Sequence, residues 1–173
     1  LAQRGRLRRV TPAAGWDFAS NDYLGLAGSE LLAHAARDAL ARGVPVGAGG
    51  SRLLRGNHAE HRALEGEAAE FFGSGAVLYM GGGFQANQAI FSALPMRGDL
   101  VVHDALVHAS AHEGMRLGRA ETRGFAHNDV GDAARVIADW RDAGGRGRVW
   151  IAVESVYSMQ GDLAPLPALA ELA

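Results

Sequence analysis

Cysteine and lysine are both missing from these 173 residues, and each absence removes a class of chemistry. Without cysteine there is no disulfide, no thiolate metal site and no cysteine nucleophile. All 17 basic residues are arginine, which excludes the Walker A phosphate loop, since that motif needs a lysine. A Gly-x-Ser-x-Gly nucleophile elbow is absent too. No apolar run approaches the roughly 20 residues of a transmembrane helix, so no membrane partner is expected. No signal-peptide pattern occurs at the start, and the expected location is cytoplasmic. A formal net charge of −2 gives no electrostatic case for nucleic acid, and the basic run Arg4–Arg9 is too short to make one. With 48% hydrophobic residues the chain has the material for a real core. It starts without methionine and stops inside the helical pattern Leu166–Ala173, so it reads as a piece of a longer protein.

The most informative stretch runs from Ala76 to Gln88, where an apolar, β-prone segment enters Gly81-Gly-Gly83 and then a helix-forming sequence. A strand, a glycine turn and a helix N-terminus form a binding site for phosphate or another anion, because the first helical N–H groups are unpaired. A tight turn with no ligand is the alternative. Upstream, a basic irregular lead-in precedes a helix over about 30–42, capped by Ser29, with Leu31, Leu32, Ala35, Ala39 and Leu40 as its apolar stripe. A glycine-rich connection (43–56) leads to a helix over about 58–72, with Leu64, Ala68, Phe71 and Phe72 on one face. Downstream the chain alternates: strands at 76–80, 100–103, 120–125 and 148–154, and helices at 84–94, 107–117, 130–143 and from Pro165. Such alternation predicts a largely parallel sheet covered by helices, with ligands beyond the carboxyl ends of the strands. The glycine turn, His103-Asp104 and Glu154-Ser155 all fall at such ends.

Several motifs admit two readings. Gly81-x-Gly83-x-x-Ala86, with Asp99 and Asp104 downstream, has the form of a dinucleotide fingerprint, although its glycines are adjacent. His108 and His112 lie four apart, and His58 and His61 three apart, but a metal site needs a third ligand, and none is expected here. His108 opens a helix beside the glycine turn, where its ring either stacks on a planar cofactor or is simply solvated. Glu154, Ser155, Tyr157 and Ser158 follow an apolar strand and form either a binding loop or a capped surface loop. Arg8 and Arg9 either hold a carboxylate or are solvated.

The segments Ser20-Asn-Asp-Tyr-Leu-Gly-Leu26, Gly47-Ala-Gly-Gly-Ser-Arg52, Gly56-Asn-His58 and Gly83-Phe-Gln-Ala-Asn87 occur in this order. They are followed by Asp104-Ala-Leu-Val-His-Ala-Ser110, Phe125-Ala-His-Asn-Asp129 and Glu154-Ser-Val-Tyr-Ser-Met-Gln-Gly-Asp162. Together they resemble the α-oxoamine synthase family of pyridoxal-phosphate enzymes. The resemblance implies the α/β fold type I (aspartate aminotransferase-like) large domain, truncated at its C-terminus. Residues 1–42 would be an N-terminal segment and 43–173 the first part of the cofactor-binding domain. Gly83 and Phe84 would hold the cofactor phosphate, His108 would stack on the ring beside the substrate, and Ser158 and Glu154 would contact the cofactor. Arg8 and Asn21 would meet substrate, and the Gly47–Arg52 loop would lie near a homodimer interface.

Within the family, Gly49–His58 and Phe125–Asp129 look most like the branch that joins L-alanine to pimeloyl-CoA or a pimeloyl-carrier protein. Its product is 8-amino-7-oxononanoate, on the route to biotin. Branches of the 2-amino-3-ketobutyrate ligase or 5-aminolevulinate synthase type are the alternatives. From other classes there remain a dinucleotide-binding domain and a non-catalytic assembly module whose 43–56 loop serves subunit contacts. Gln160 stands where the family usually has aspartate, and the family's Schiff-base lysine would lie beyond Ala173.

One consequence is directly measurable. With no ε-amino group in the chain, pyridoxal phosphate followed by borohydride should leave no reduced adduct on any side chain. Mass spectrometry that finds one away from the α-amino group would overturn the expectation that this chain alone is inactive.

Overall fold

In the computed structural model, which describes residues 12 and 14–173, the chain divides into two compact units. One ends at Ala63 and the other runs Leu64–Ala173. The first holds α1 (Glu30–Ala41), whose Ser29 cap accepts from the Leu32 N–H as expected. The predicted apolar stripe of α1 stays largely exposed among the described residues: no residue of the helix is buried, and Leu31 is 74% exposed. Helix α2 (Ala59–Phe72) likewise buries none of its residues. Helical periodicity creates a face that can be buried, but burial needs a partner surface. Among the described residues up to Ala63, only Gly56 is buried.

The second unit contains a three-stranded parallel sheet of β1 (Leu100–Asp104), β2 (Glu121–Phe125) and β3 (Val149–Ala152), in the order β2-β1-β3. Leu100 pairs with Glu121 and Val149, which aligns all three carboxyl ends on one edge. Helices cover both faces. Leu100, Val102 and Phe125 pack against Ala133, Val136 and Trp140 of α5 (Val130–Asp142), while Leu172 of α6 (Leu166–Leu172) adds to that layer. On the other face Val101 and Ala152 meet Ala111 and Met115 of α4 (Ala109–Leu117) and Phe91 of α3 (Gly83–Ala93). Burial on both faces explains why Leu100-Val-Val102 is continuously apolar rather than alternating. Each such aliphatic side chain contributes about 1.5–3 kcal/mol. At the amino edge the buried carboxylate of Asp99 accepts from the N–H groups of Met96 and Arg148 and from Trp150 Nε1, bolting β1 to β3. These bonds hold its carboxyl below the usual range.

One expected strand is corrected. Residues 76–80 lie outside any ladder among the described residues, held by the Tyr79 N–H donating to Glu65. A β-prone run becomes a strand only where another strand supplies its hydrogen bonds, and the sheet ends at β3.

Helices α3 and α4 approach closely because glycine lines their contact. A Cβ on Gly114 would sit 2.8 Å from the carbonyl oxygen of Asn87 and 2.9 Å from Cβ of Phe91, and one on Gly118 would sit 2.7 Å from the Phe91 oxygen. Gly114→Ala therefore tests the packing by its sign. An unconstrained helical position would gain up to about 1 kcal/mol from alanine, whereas we expect a loss of about 1–3 kcal/mol from overpacking, read by urea denaturation.

Candidate active site

Everything with catalytic potential in the second unit gathers at the carboxyl edge of the sheet. The chain leaves β1 at Asp104, turns through Leu106 and enters α4 with His108 as its N-cap. The His108 imidazole takes the role usually filled by a short polar side chain: its Nδ1 accepts from the Ser110 N–H at 3.1 Å. Ser110 Oγ lies 2.7 Å from the same nitrogen and itself accepts from Asn87 Nδ2 at 2.9 Å. Because Nδ1 is the acceptor for a backbone N–H, the network assigns the ring proton to Nε2. Asn87 on α3 and Ser110 on α4 thus set both the orientation and the tautomer of His108. Ser110 is fully buried.

Glu154, just past β3, accepts from the His108 N–H, which places a carboxylate at the positive end of α4. A cavity of about 130 Å³ opens here, lined by Asn87, Phe91, His108, Ala111, Ala152 and Glu154. A larger cleft of about 870 Å³ lies at the opposite edge of the sheet, among Arg97, Arg119, Arg123 and Arg146. The smaller one is the better candidate, because it adjoins His108, Asn87 and Glu154 at the carboxyl edge.

The glycine turn leads into α3 with Gly82 as N-cap and no side chain capping the helix. Its first internal bond is from the Ala86 N–H to the Gly82 oxygen, so the N–H groups of Gly83, Phe84 and Gln85 have no acceptor among the described residues. A Cβ built on Gly83 meets only open space.

Ser158 sits exposed in a turn of a short hairpin closed by the bridge between Val156 and Leu163. Tyr157 beside it is buried and faces the edge of the His127 ring at 4.6 Å. Burial pushes its phenol up to about 12, reinforced by the nearby charge of Asp104. Its hydroxyl has no partner within hydrogen-bond geometry among the described residues.

Of the residues singled out from the sequence, Gly83, Phe84, His108, Glu154 and Ser158 all lie in this unit. Asn21 is in the first unit and is exposed, and Arg8 and Arg9 lie outside the described residues. His112 does not join His108 but packs on His103, ring centroids 4.8 Å apart. The acids that a dinucleotide reading needs are spent. Asp99 is bonded at the far edge, and Asp104 accepts from the Leu106 and Asn128 N–H groups and from His127. Sequence reading had not singled out Asn87, Ser110, His127, Asn128 and Asp162 individually. Their bonds span 23 to 35 residues, which no local spacing reveals.

Comparison with known proteins decides the family. The family model "Aminotransferase class I and II" matches residues 14–173. The chain belongs to that family. The 8-amino-7-oxononanoate synthase of Emericella nidulans is 42% identical over 94% of this chain and 42% of its own length. Serine palmitoyltransferase from S. paucimobilis, with bound PLP–myriocin aldimine, superposes with a TM-score of 0.80 at 32% identity, over 87% of this chain and 37% of that one. An 8-amino-7-oxononanoate synthase from Francisella tularensis gives 0.69 at 27%, over 90% and 42%. The chain thus spans about two-fifths of the length of the curated relatives it matches. The resemblance to α-oxoamine synthases and the fold type I assignment are borne out.

Pyridoxal 5′-phosphate is the cofactor of these enzymes, and the residues present fit part of it. The free N–H groups and open space at Gly83 suit its phosphate, and the exposed ring of His108 suits its flat pyridine. Nothing in the chain fits the aldehyde, because there is no lysine.

Ser110→Ala tests the histidine network. We expect a loss of about 1–3 kcal/mol, since Asn87 Nδ2 loses its acceptor. The ¹⁵N shifts of His108 should keep a single Nε2–H tautomer, because the backbone N–H of residue 110 still donates to Nδ1. An Nδ1–H tautomer in the wild type or in the variant would refute the assignment.

Proposed function

We propose that this chain forms the phosphate-and-ring half of the active site in an α-oxoamine synthase that condenses L-alanine with a pimeloyl thioester to 8-amino-7-oxononanoate. The observation that carries this is the conjunction of the unpaired α3 N-terminus with the oriented imidazole of His108 and the Glu154 carboxylate. Bound pyridoxal phosphate would supply an electron sink for the carbanion formed at the amino acid's Cα.

The chain's own residues then have definite tasks. The N–H groups of Gly83 and Phe84 would hold the phosphate at the positive end of α3. His108 would stack on the cofactor ring, with Ser110 at Nδ1 leaving Nε2–H free to face a ligand. Glu154 fixes the start of α4, and Ser158 would donate to the cofactor from its hairpin. Asn21 and Arg8 would meet substrate, Arg8 through the acyl carboxylate. The Gly47–Arg52 loop would lie at a homodimer interface, and the enzyme would work in the cytoplasm. Relatives 40–45% identical that are named 8-amino-7-oxononanoate synthase support the alanine and pimeloyl substrates. The superposition on serine palmitoyltransferase favours a second reading, a sister enzyme of the same family that takes another amino acid.

Titrating the chain with pyridoxal phosphate and with NAD tests the binding reading. Saturable binding of the first alone is expected, weakened at least about tenfold by Gly83→Asp, which puts a carboxylate where the phosphate belongs. Binding of NAD, or indifference to the substitution, would overturn it. In a longer protein that carries this chain and a lysine, alanine with pimeloyl-CoA should release free thiol and carbon dioxide, and serine should not. The 173 residues alone should release neither.

A further inference from the structure

We propose that His127 and Asn128 are positioning residues that hold the Ser158 hairpin in register with the His108 turn; the catalytic meaning of this, though not the geometry, rests on the function proposed above. The two residues follow β2 and reach both ways. Toward β1, His127 Nδ1 lies 2.8 Å from Asp104 Oδ1, and the Asn128 N–H donates to Asp104 Oδ2 at 2.7 Å. Toward the hairpin, His127 Nε2 lies 2.7 Å from Asp162 Oδ2, while Asn128 Nδ2 donates to the same oxygen at 3.0 Å and to the Leu163 carbonyl at 3.2 Å. Asp104 also accepts from the Leu106 N–H at 2.8 Å, two residues before His108. One continuous polar path therefore runs from the His108 turn to the base of the hairpin.

Three features separate this from incidental packing. Among the described residues, every side-chain hydrogen bond that ties residues 155–163 to another element passes through His127 or Asn128. The remaining bonds of the hairpin are internal: Tyr157 N–H to Asp162, Gly161 N–H to Tyr157 and Ala164 N–H to Ser155. Second, Asn128 adopts φ +56°, the one non-glycine residue described with a left-handed backbone. Such conformations persist where the surroundings over-determine them, and this one lets a single residue address Asp104 with its backbone and Asp162 with its side chain. Third, the junction keeps three buried polar atoms without partners, Asn128 Oδ1, Tyr157 Oη and Asp162 Oδ1. Apolar side chains would pack such a place at lower cost if packing were its only task.

The charge state has a direction. His127 faces Asp104 from β1 and Asp162 from the hairpin, with the phenol of Tyr157 against its ring, and the two carboxylates raise its pKa above 6.5. A raised pKa means that the two-armed His127 bridge is complete below 6.5 and loses one of its N–H donors as pH climbs through the raised value.

Amide hydrogen exchange on the chain without cofactor tests the clamp. In the wild type, protection of the Tyr157, Gly161 and Ala164 amides, corrected for intrinsic exchange, should step down as pH rises above about 6.5. His127→Gln should lower that protection about tenfold at about pH 6 and abolish the step, leaving β1 amides unchanged. Asp162→Asn, which cuts only the outer arm, should give the same pattern more weakly. Retained protection in both variants, or a wild-type profile without a step, overturns the proposal. So does equal loss across β1 to β3 in Asp162→Asn, which would mean that the whole fold fails. Pyridoxal phosphate titration of Ser158→Ala, His127→Gln and the double variant then reads the coupling. Non-additive losses support positioning through Ser158, and additive losses refute it. If the wild type binds no pyridoxal phosphate, the functional reading falls and the exchange data still decide the clamp.

Discussion

The carboxylate of Asp104 is the constraint on which the carboxyl edge of the sheet depends. It is fully buried at the end of the central strand and accepts from two backbone N–H groups and one imidazole. Burial by itself would raise its pKa; the bonds from Asn128, His127 and Leu106 outweigh that and hold the group ionised below the usual carboxylate range. An ionised group in that position cannot move without stranding its donors, each of which would cost about 1–3 kcal/mol if left unpaired. The exit of β1 is therefore rigid, and with it the turn that delivers His108. The exit of β2 is tied to the same oxygens. Asp99 does the equivalent work at the amino edge, so β1 is pinned at both ends by buried acids.

Much of the fold was legible where local rules decide it. A run buried on both faces had to be continuous, and Leu100-Val-Val102 is. Ser29 had the form of a cap and is one. The failures share a physical cause, which is that burial and pairing belong to two partners while a sequence window contains only one. Residues 76–80 have strand composition but no ladder, and Leu31 has helical spacing but no surface to cover. The same limit applied to the site. His108 and Glu154 could be found because strand ends are where ligands bind in parallel sheets. Ser110 and Asn128 could not, since a serine in a helix start and an asparagine in a turn are ordinary until the distant partner is in place.

The approach of α3 to α4 links packing to chemistry. Gly114 and Gly118 remove the side chains that would hold the helices apart, and only at that separation does Asn87 reach Ser110. Ser110 in turn determines which nitrogen of His108 carries the proton. A substitution at Gly114 or Gly118, in the α3 contact, would thus be felt as a loss of imidazole orientation. The helix pair is a frame for one ring.

This arrangement also explains how a chain without lysine can present an ordered site. Each orienting bond found here is internal to the second unit: the α3 start is open, His108 is tethered by Ser110 and Glu154, and the Ser158 hairpin is clamped by His127 and Asn128. None of them needs the cofactor to form. The covalent partner of the aldehyde adds reactivity but is not required for shape. On the proposed reading, binding of the phosphate and stacking of the ring would be separable from bond formation, because this half of the site is ordered by its own polar network.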